Sequence, residues 1–103
     1  MITFMVYRNG EAARVHYSEM ALAQALREEG RLCTGSMVNP YHRRCFFGVL
    51  EGWRLVNGKP EPTRIMDEGS RKRLWPVYMA GVHFNGTDED RCALLAGMVE
   101  HAD

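Results

Sequence analysis

Residues 41–58 of the chain read Tyr-His-Arg-Arg-Cys-Phe-Phe-Gly-Val-Leu-Glu-Gly-Trp-Arg-Leu-Val-Asn-Gly. This stretch contains the densest apolar run in the sequence, and we expect the rest of the fold to pack around it. Its aromatic and β-branched residues favour strands by propensity, so we predict a strand over residues 45–56 that ends at the Asn57-Gly58 turn. A short buried helix at residues 49–53 is the alternative, since an apolar run of this length suits either element.

Length and composition indicate a single domain over residues 1–103. A chain of 103 residues, 46% of them hydrophobic, is long enough to bury a core. The cysteines Cys33, Cys45 and Cys92 form an odd set without repeated spacing, which argues against a secreted disulfide framework. We expect no leader peptide, since the first residues lack a basic region ahead of a long apolar core, and no apolar run is long enough to span a bilayer. We therefore expect a soluble cytoplasmic protein.

The first seventeen residues predict a β-hairpin. Asn9-Gly10 is a pair that two-residue type I′ turns prefer, and it separates Ile2–Arg8 from Glu11–Tyr17. Alternation along the two strands then sends six side chains to the face that is buried, namely Ile2, Phe4, Val6, Ala13, Val15 and Tyr17.

Two amphipathic helices are predicted from their end signals. Ser18 is a favourable N-cap for a helix over residues 19–29, and Gly30 ends that helix. Thr87 is the N-cap of a final helix, with Asp90 in the position of a capping-box acid. The final helix has an apolar stripe that we expect to pack against the sheet, formed by Cys92, Leu95, Met98, Val99 and Ala102.

The remaining segments complete the predicted fold. Residues 31–44 and 59–63 have the composition of connections, and residues 64–66 predict a short edge strand. We predict a polar, mobile segment at residues 67–73 and a strand at residues 77–84, where the composition is apolar. The expected fold class is α+β, with an N-terminal β-hairpin, an antiparallel sheet of about four or five strands and two amphipathic helices on one face.

Catalysis and metal binding receive little support from the residues. Cys45 is the best candidate nucleophile, but a thiol inside an apolar cluster usually acts as a small hydrophobe, and in a strand His42 would point to the opposite face. The same two residues form the only closely spaced pair of zinc-ligand types, whereas zinc needs three or four ligands. We predict no catalytic residue and no cofactor, and it stays open whether metal ligands occur among Cys33, His42, Cys45, His83 and Cys92.

The chain is formally neutral, but its charges are separated along the sequence. Residues 31–73 carry nine basic and four acidic groups, whereas residues 74–103 carry one basic and five acidic groups. Basic clusters beside aromatic residues can bind phosphates and stack bases, and the same side chains are enriched at protein interfaces. The candidate partner-binding residues are Tyr41, Arg43, Arg44, Trp53, Arg71, Lys72, Arg73 and Trp75. The alternative is that both tryptophans belong to the core and the basic clusters are solvated loops.

Three segments resemble a group of small phage- and prophage-encoded proteins. They are Ala-Leu-Arg-Glu-Glu-Gly at residues 25–30, Cys-Phe-Phe-Gly-Val-Leu at residues 45–50, and Phe-Asn-Gly-Thr at residues 84–87 ahead of the final helix. Proteins of that group have an Ala-Leu-Arg-x-Gly helix, a Cys-Cys-Leu-Gly-Val-Leu core motif and a closing amphipathic helix. The second cysteine and the leucine of the core motif are phenylalanines here. The resemblance implies a phage or mobile-element origin and an accessory role on host machinery, and it favours a helix near residues 49–53.

Two functions follow as hypotheses. The first is a non-enzymatic, phage-derived inhibitor of the anti-defence type, which binds a host protein or a ribonucleoprotein complex such as a CRISPR component in the bacterial cytoplasm. The second is direct binding of a nucleic acid or nucleotide through the basic middle region. A monomer and a homodimer, paired through an edge at residues 2–6 or through the final helix, are both compatible with the sequence. No membrane partner is expected.

Overall fold

The secondary structure comes from a computed structural model, which describes residues 1–102. These residues form five strands and four helices, in an α+β arrangement as predicted. In chain order the elements are β1 (Ile2–Arg8), β2 (Glu11–Tyr17), α1 (Glu19–Glu29), α2 (Phe46–Leu50), β3 (Arg54–Val56), β4 (Lys59–Glu61), β5 (Ile65–Met66), α3 (Glu68–His83) and α4 (Asp88–Glu100).

The predicted hairpin is confirmed, including its register. Arg8 pairs with Glu11 next to the turn, and β1 and β2 remain antiparallel partners along their whole length. Asn9 and Gly10 have φ angles of 51° and 79°, which is the left-handed geometry that a type I′ turn requires. The predicted inner face is buried only at one end of the hairpin. Ile2 and Phe4 are completely buried, Val6, Val15 and Tyr17 are half-buried, and Ala13 is exposed.

The strands form two small sheets instead of the single sheet of four or five strands that we predicted. β1 lies between β2 and β5 in a three-stranded antiparallel sheet, whereas β3 and β4 pair only with each other. The Asn57-Gly58 turn joins β3 to β4, as expected from its sequence. Because β1 pairs with a strand on each side, residues 2–6 are not a free sheet edge of the kind that one of the possible homodimers would need.

The connections behave largely as predicted. Residues 31–44 contain no helix or strand among the described elements, only an isolated bridge between Val38 and Arg44. The short strand expected at residues 64–66 is β5. Residues 59–63 were expected as an extended loop, but the first three of them form β4, because the preceding turn aligns them with β3.

The helices α1 and α4 are confirmed with their caps. Ser18 Oγ accepts a hydrogen bond from the Ala21 N–H at 3.1 Å, and Gly30 ends α1 with a φ angle of 69°. Thr87 Oγ1 likewise accepts from the Asp90 N–H at 3.1 Å. The predicted packing of α4 on the sheet is wrong, since α4 packs mainly against α1 and α3.

The strand predicted over residues 45–56 is wrong for most of its length. Residues 46–50 form the helix α2, and only Arg54–Val56 is a strand. Cys45 is the N-cap of α2, and its Sγ accepts a hydrogen bond from the Gly48 N–H at 3.4 Å. The alternative prediction, a helix at residues 49–53, is correct in type, but the observed helix begins earlier, at Phe46. Every residue of α2 is buried, so burial decides the conformation here and strand propensity does not.

The helix α3 spans Glu68–His83, where we predicted a mobile segment at residues 67–73 and a strand at residues 77–84. Both of these predictions are wrong. Asp67 is its N-cap, and Asp67 Oδ1 accepts a hydrogen bond from the Ser70 N–H at 2.7 Å. Pro76 lies inside the helix. Four residues at helical spacing are buried and fix the helix on its neighbours, namely Ser70, Leu74, Val77 and Gly81.

One hydrophobic core joins the sheet and the helices. The sheet contributes Ile2, Phe4 and Met66, and each of the four helices contributes buried apolar side chains to the same cluster. No helix within residues 1–102 has the length and apolar character needed to cross a membrane.

Candidate functional site

A groove of about 610 Å³ lies between α3 and the loop that precedes α2. One side of the groove is formed by residues 32–37 of that loop, together with Cys45 and Phe47. The other side is the exposed face of α3, and Leu95 of α4 lies at the base. Among the residues that line it, apolar and aromatic side chains predominate, which is typical of sites that bind ligands or peptide segments.

Three aromatic rings form a continuous cluster along the groove. The centroid of the Phe47 ring lies 6.1 Å from that of Trp75 and 5.4 Å from that of Tyr78, and the Trp75 and Tyr78 centroids are 4.9 Å apart. Trp75 is nevertheless 49% exposed, and Val82 on the same helix is 53% exposed. The apolar side chains of Trp75 and Val82 therefore line the groove and are also exposed to solvent.

Backbone contact with α2 holds the loop side of the groove in place. A Cβ added to Gly48 would lie 2.0 Å from the Met37 carbonyl oxygen, so the loop lies directly on the helix and only glycine permits this approach. The Cys33 N–H donates to the Arg44 carbonyl at 2.9 Å, which ties the two ends of the loop together. The groove is therefore a preformed feature of the fold.

Arg71 lines the groove and is held there by a buried carboxylate. One of its Nη atoms lies 2.8 Å from Oε2 of Glu51, and its guanidinium lies 4.8 Å from the centroid of the Phe47 ring. The Glu51 side chain is only 1% exposed. Its other contacts are hydrogen bonds from Trp53 Nε1 at 3.0 Å and from the Met66 N–H at 2.8 Å. A fully buried carboxylate thus fixes the orientation of Arg71.

Arg91 lies at the base of the groove and has a structural role. It donates to the carbonyls of Gly81 at 3.2 Å and Phe84 at 3.1 Å, and to Asp88 Oδ1 at 3.2 Å. Both carbonyls lie at the end of α3, where helical carbonyls lack the usual i+4 partner, and Gly81 O also accepts from the Phe84 N–H at 3.4 Å. Most of its hydrogen-bonding capacity is therefore used inside the protein.

Two of the eight predicted partner-binding residues, Arg71 and Trp75, lie in the groove. Tyr41 and Arg43 are exposed on the loop outside it. Arg44 is half-buried and makes two hydrogen bonds to the Glu29 carboxylate, and these bonds raise the pKa of Arg44.

The other three predicted residues also have partners within the protein. The indole of Trp53 binds the buried Glu51, as described above. Lys72 is exposed and lies 3.6 Å from Glu68, and Arg73 lies 3.6 Å from Glu19. The predicted residues therefore do not form one site. Arg71 and Trp75 lie in the groove, and the others are either exposed outside it or bonded to carboxylates of the same chain.

Sequence reasoning did not identify the aromatic and aliphatic residues that complete the groove, namely Met37, Phe47, Tyr78 and Val82. A signal was present for α3, since residues 71, 75, 78 and 82 share one face of a helix. It was hidden because residues 67–84 were predicted as a loop and a strand.

The candidate nucleophile and metal ligands do not form a common site. Cys33 and Cys45 line the groove, whereas Cys92 is buried in α4 and His42 and His83 are exposed. Burial raises the pKa of the Cys45 thiol, which disfavours the reactive thiolate at neutral pH. Within residues 1–102, no group of three or more His, Cys, Asp or Glu residues is arranged to hold a metal ion.

Comparison with known proteins adds no relative to this description, since no protein family, curated protein or solved structure matches the chain.

Proposed function

We propose that the protein is a non-enzymatic binding protein that takes an apolar segment of a partner protein into the groove beside α3. The observation that carries this proposal is the exposure of Trp75 and Val82 along a preformed cavity. Large apolar side chains that stay half-exposed in a concave site are typical of interaction surfaces, and Trp is prominent among interface hot spots. Inhibition of a host protein or complex by a phage-derived protein is the specific form of this function that we propose.

A protein partner is favoured over a nucleic acid because of how the cations are arranged. Outside the groove, Arg44, Lys72 and Arg73 each lie beside a carboxylate of the same chain. Nucleic-acid binding draws its affinity from several cations that are free to contact successive phosphates. Because these cations are already paired with carboxylates, the groove is better supported as the binding surface than the basic clusters are.

The test is an affinity capture from bacterial lysate with the wild-type protein and two variants, each with and without nuclease. Trp75→Ala removes the exposed indole of the groove. Met20→Ala is the matched control, since Met20 is 73% exposed on α1 and does not line the groove. We expect a partner protein that is retained by the wild type and Met20→Ala after nuclease treatment and is reduced by about tenfold or more with Trp75→Ala.

Two outcomes would contradict the proposal. Recovery that disappears on nuclease treatment would assign the binding to nucleic acid, and equal recovery with Trp75→Ala would exclude the groove. Circular dichroism of each variant establishes that the fold is retained. Because the Trp75 side chain is half-exposed, its truncation is expected to leave the fold intact.

A further inference from the structure

We infer that the groove recognises a segment in which an apolar side chain lies next to a carboxylate, with the carboxylate bound by Arg71. This inference rests on the proposed function, since it specifies the chemistry of the segment that enters the groove. The aromatic cluster supplies the apolar surface, and Arg71 supplies the charged contact at its edge. An acidic residue beside an aromatic or aliphatic residue is therefore the expected recognition element.

The charge of the groove lining favours an acidic segment. Among the described residues that line the groove, the charged ones are Arg71 and Arg91, and both are cations. A basic side chain in the groove would meet like charge, whereas a carboxylate would meet complementary charge. The lining therefore selects against basic segments as well as for acidic ones.

Arg71 has hydrogen-bond donors available for this contact. A guanidinium has five N–H donors. Within residues 1–102 the side chain of Arg71 makes one hydrogen bond, to Glu51, and it remains 35% exposed. Its planar fork matches the two oxygens of a carboxylate. Since Arg91 is occupied with carbonyls of the protein, Arg71 is the residue that can accept a new anion.

The arrangement also lowers the cost of binding. Glu51 holds one edge of the guanidinium from the buried side, and the Phe47 ring supports its face. A long flexible side chain ordinarily loses rotamer entropy when it binds, and here much of that entropy is already lost in the free protein. Glu51 is thus a positioning residue for Arg71 and makes no direct contact with the segment.

The experiment uses a library of short blocked peptides in which a central Phe, Trp or Leu is followed by Asp, Asn or Lys. The library is applied to the wild-type protein, Trp75→Ala, Arg71→Gln, and Lys72→Gln as the matched control for Arg71→Gln. Lys72 lies next to Arg71 in sequence, is 77% exposed and does not line the groove, so the control removes the same charge outside the site. We expect the wild type and Lys72→Gln to enrich the Asp peptides by about tenfold over the Asn peptides, and Arg71→Gln to lose this preference.

Arg71→Lys serves if Arg71→Gln does not fold. It keeps the charge beside Glu51 but lacks the planar fork, so the preference for Asp should fall while the protein stays folded. Peptide binding that depends on Trp75 but does not distinguish Asp from Asn or Lys would overturn this inference and leave the proposed function standing. A preference for Asp that survives in Arg71→Gln would overturn the role of Arg71. Loss of the Trp75 dependence in the lysate capture would instead overturn the proposed function itself.

Discussion

Replacing Glu51 with Gln tests the buried interaction on which both the core and the groove depend. The Glu51 carboxylate accepts three hydrogen bonds, from Trp53 Nε1, the Met66 N–H and an Arg71 Nη. A Gln side chain has one accepting oxygen and one amide nitrogen that only donates. If its oxygen takes the place of Oε2, the amide faces the indole N–H of Trp53. That indole N–H then has no acceptor.

The expected cost follows from these contacts. Glu51→Gln converts an ion-paired hydrogen bond into one from the charged Arg71 guanidinium to a neutral amide oxygen, and this loss of the acceptor's charge costs about 1–2 kcal/mol. Leaving a buried donor without a partner costs about 1–3 kcal/mol more. Arg71 is 35% exposed and can regain water, which favours the lower part of the range. We expect Glu51→Gln to reduce the free energy of unfolding by about 3 kcal/mol, a large share of the roughly 5–15 kcal/mol typical of a domain.

The assay is urea unfolding followed by far-ultraviolet circular dichroism. The matched control is Glu68→Gln, since Glu68 is 84% exposed and pairs with Lys72 only at the surface, so its loss should cost less than about 0.5 kcal/mol. Glu51→Gln should also weaken the preference for acidic peptides, because Arg71 loses its support. A Glu51→Gln protein as stable as the Glu68→Gln protein would refute the three-bond argument.

Three further predictions concern stability and reactivity. Gly48→Ala should destabilise the protein by about 3 kcal/mol or more, because the added methyl group would clash with the Met37 backbone. Gly97→Ala in α4 has open space around the new methyl group and should stabilise the protein by about 0.5–1 kcal/mol. The urea midpoints of the two variants should therefore move in opposite directions. Hydrogen bonds from Ser70 lower the pKa of Asp67 in the folded protein. The ionised Asp67 therefore stabilises the fold above its unfolded pKa, and this stabilisation is lost as the pH falls through the lower folded pKa. In unfolding titrations, the stability advantage of the wild type over Asp67→Asn should shrink below about pH 4. Burial raises the pKa of both Cys45 and Cys92, so iodoacetamide should modify them slowly at neutral pH and rapidly after unfolding, as followed by mass spectrometry; rapid labelling of the native protein would contradict this.

The elements that sequence analysis predicts correctly are those with local signals. Asn9-Gly10 specifies both the turn and the register of the first hairpin, because few residue pairs adopt its backbone angles. Ser18 and Thr87 each cap a helix through an oxygen that lies within the same turn. In each case the deciding interaction is made between residues that are close in sequence.

The helices α2 and α3 depend on distant contacts, and propensity therefore predicts them wrongly. Phe46 and Phe47 favour strands, but both are buried between other elements as a single helical turn. In α3 the residues Leu74 and Val77 face the core, while Pro76 and the polar residues before it suggest a boundary. The apolar pattern of these residues fits either a strand or a helix, and only packing against neighbouring elements decides between the two.

The candidate site was predictable in part for the same reason. The basic and aromatic composition selected Arg71 and Trp75 as candidate partner-binding residues, and both line the groove. Composition does not show which cations have acidic partners, since Glu29 and Arg44 are fifteen residues apart in the chain. It also does not show that Phe47 and Tyr78, which lie on different helices, meet at 5.4 Å.

The central position of β1 has a consequence for how the protein folds during its synthesis. The Thr3 carbonyl accepts from the Asp67 N–H at 3.0 Å, and the Thr3 N–H donates to Ser70 Oγ at 3.1 Å, so the first strand is completed by residues made much later. The helix α1 packs against α4, which is also made much later. At roughly 5–20 residues per second, a ribosome needs several seconds to supply these partners. The nascent hairpin and α1 therefore remain open to chaperones and proteases until β5, α3 and α4 have been made.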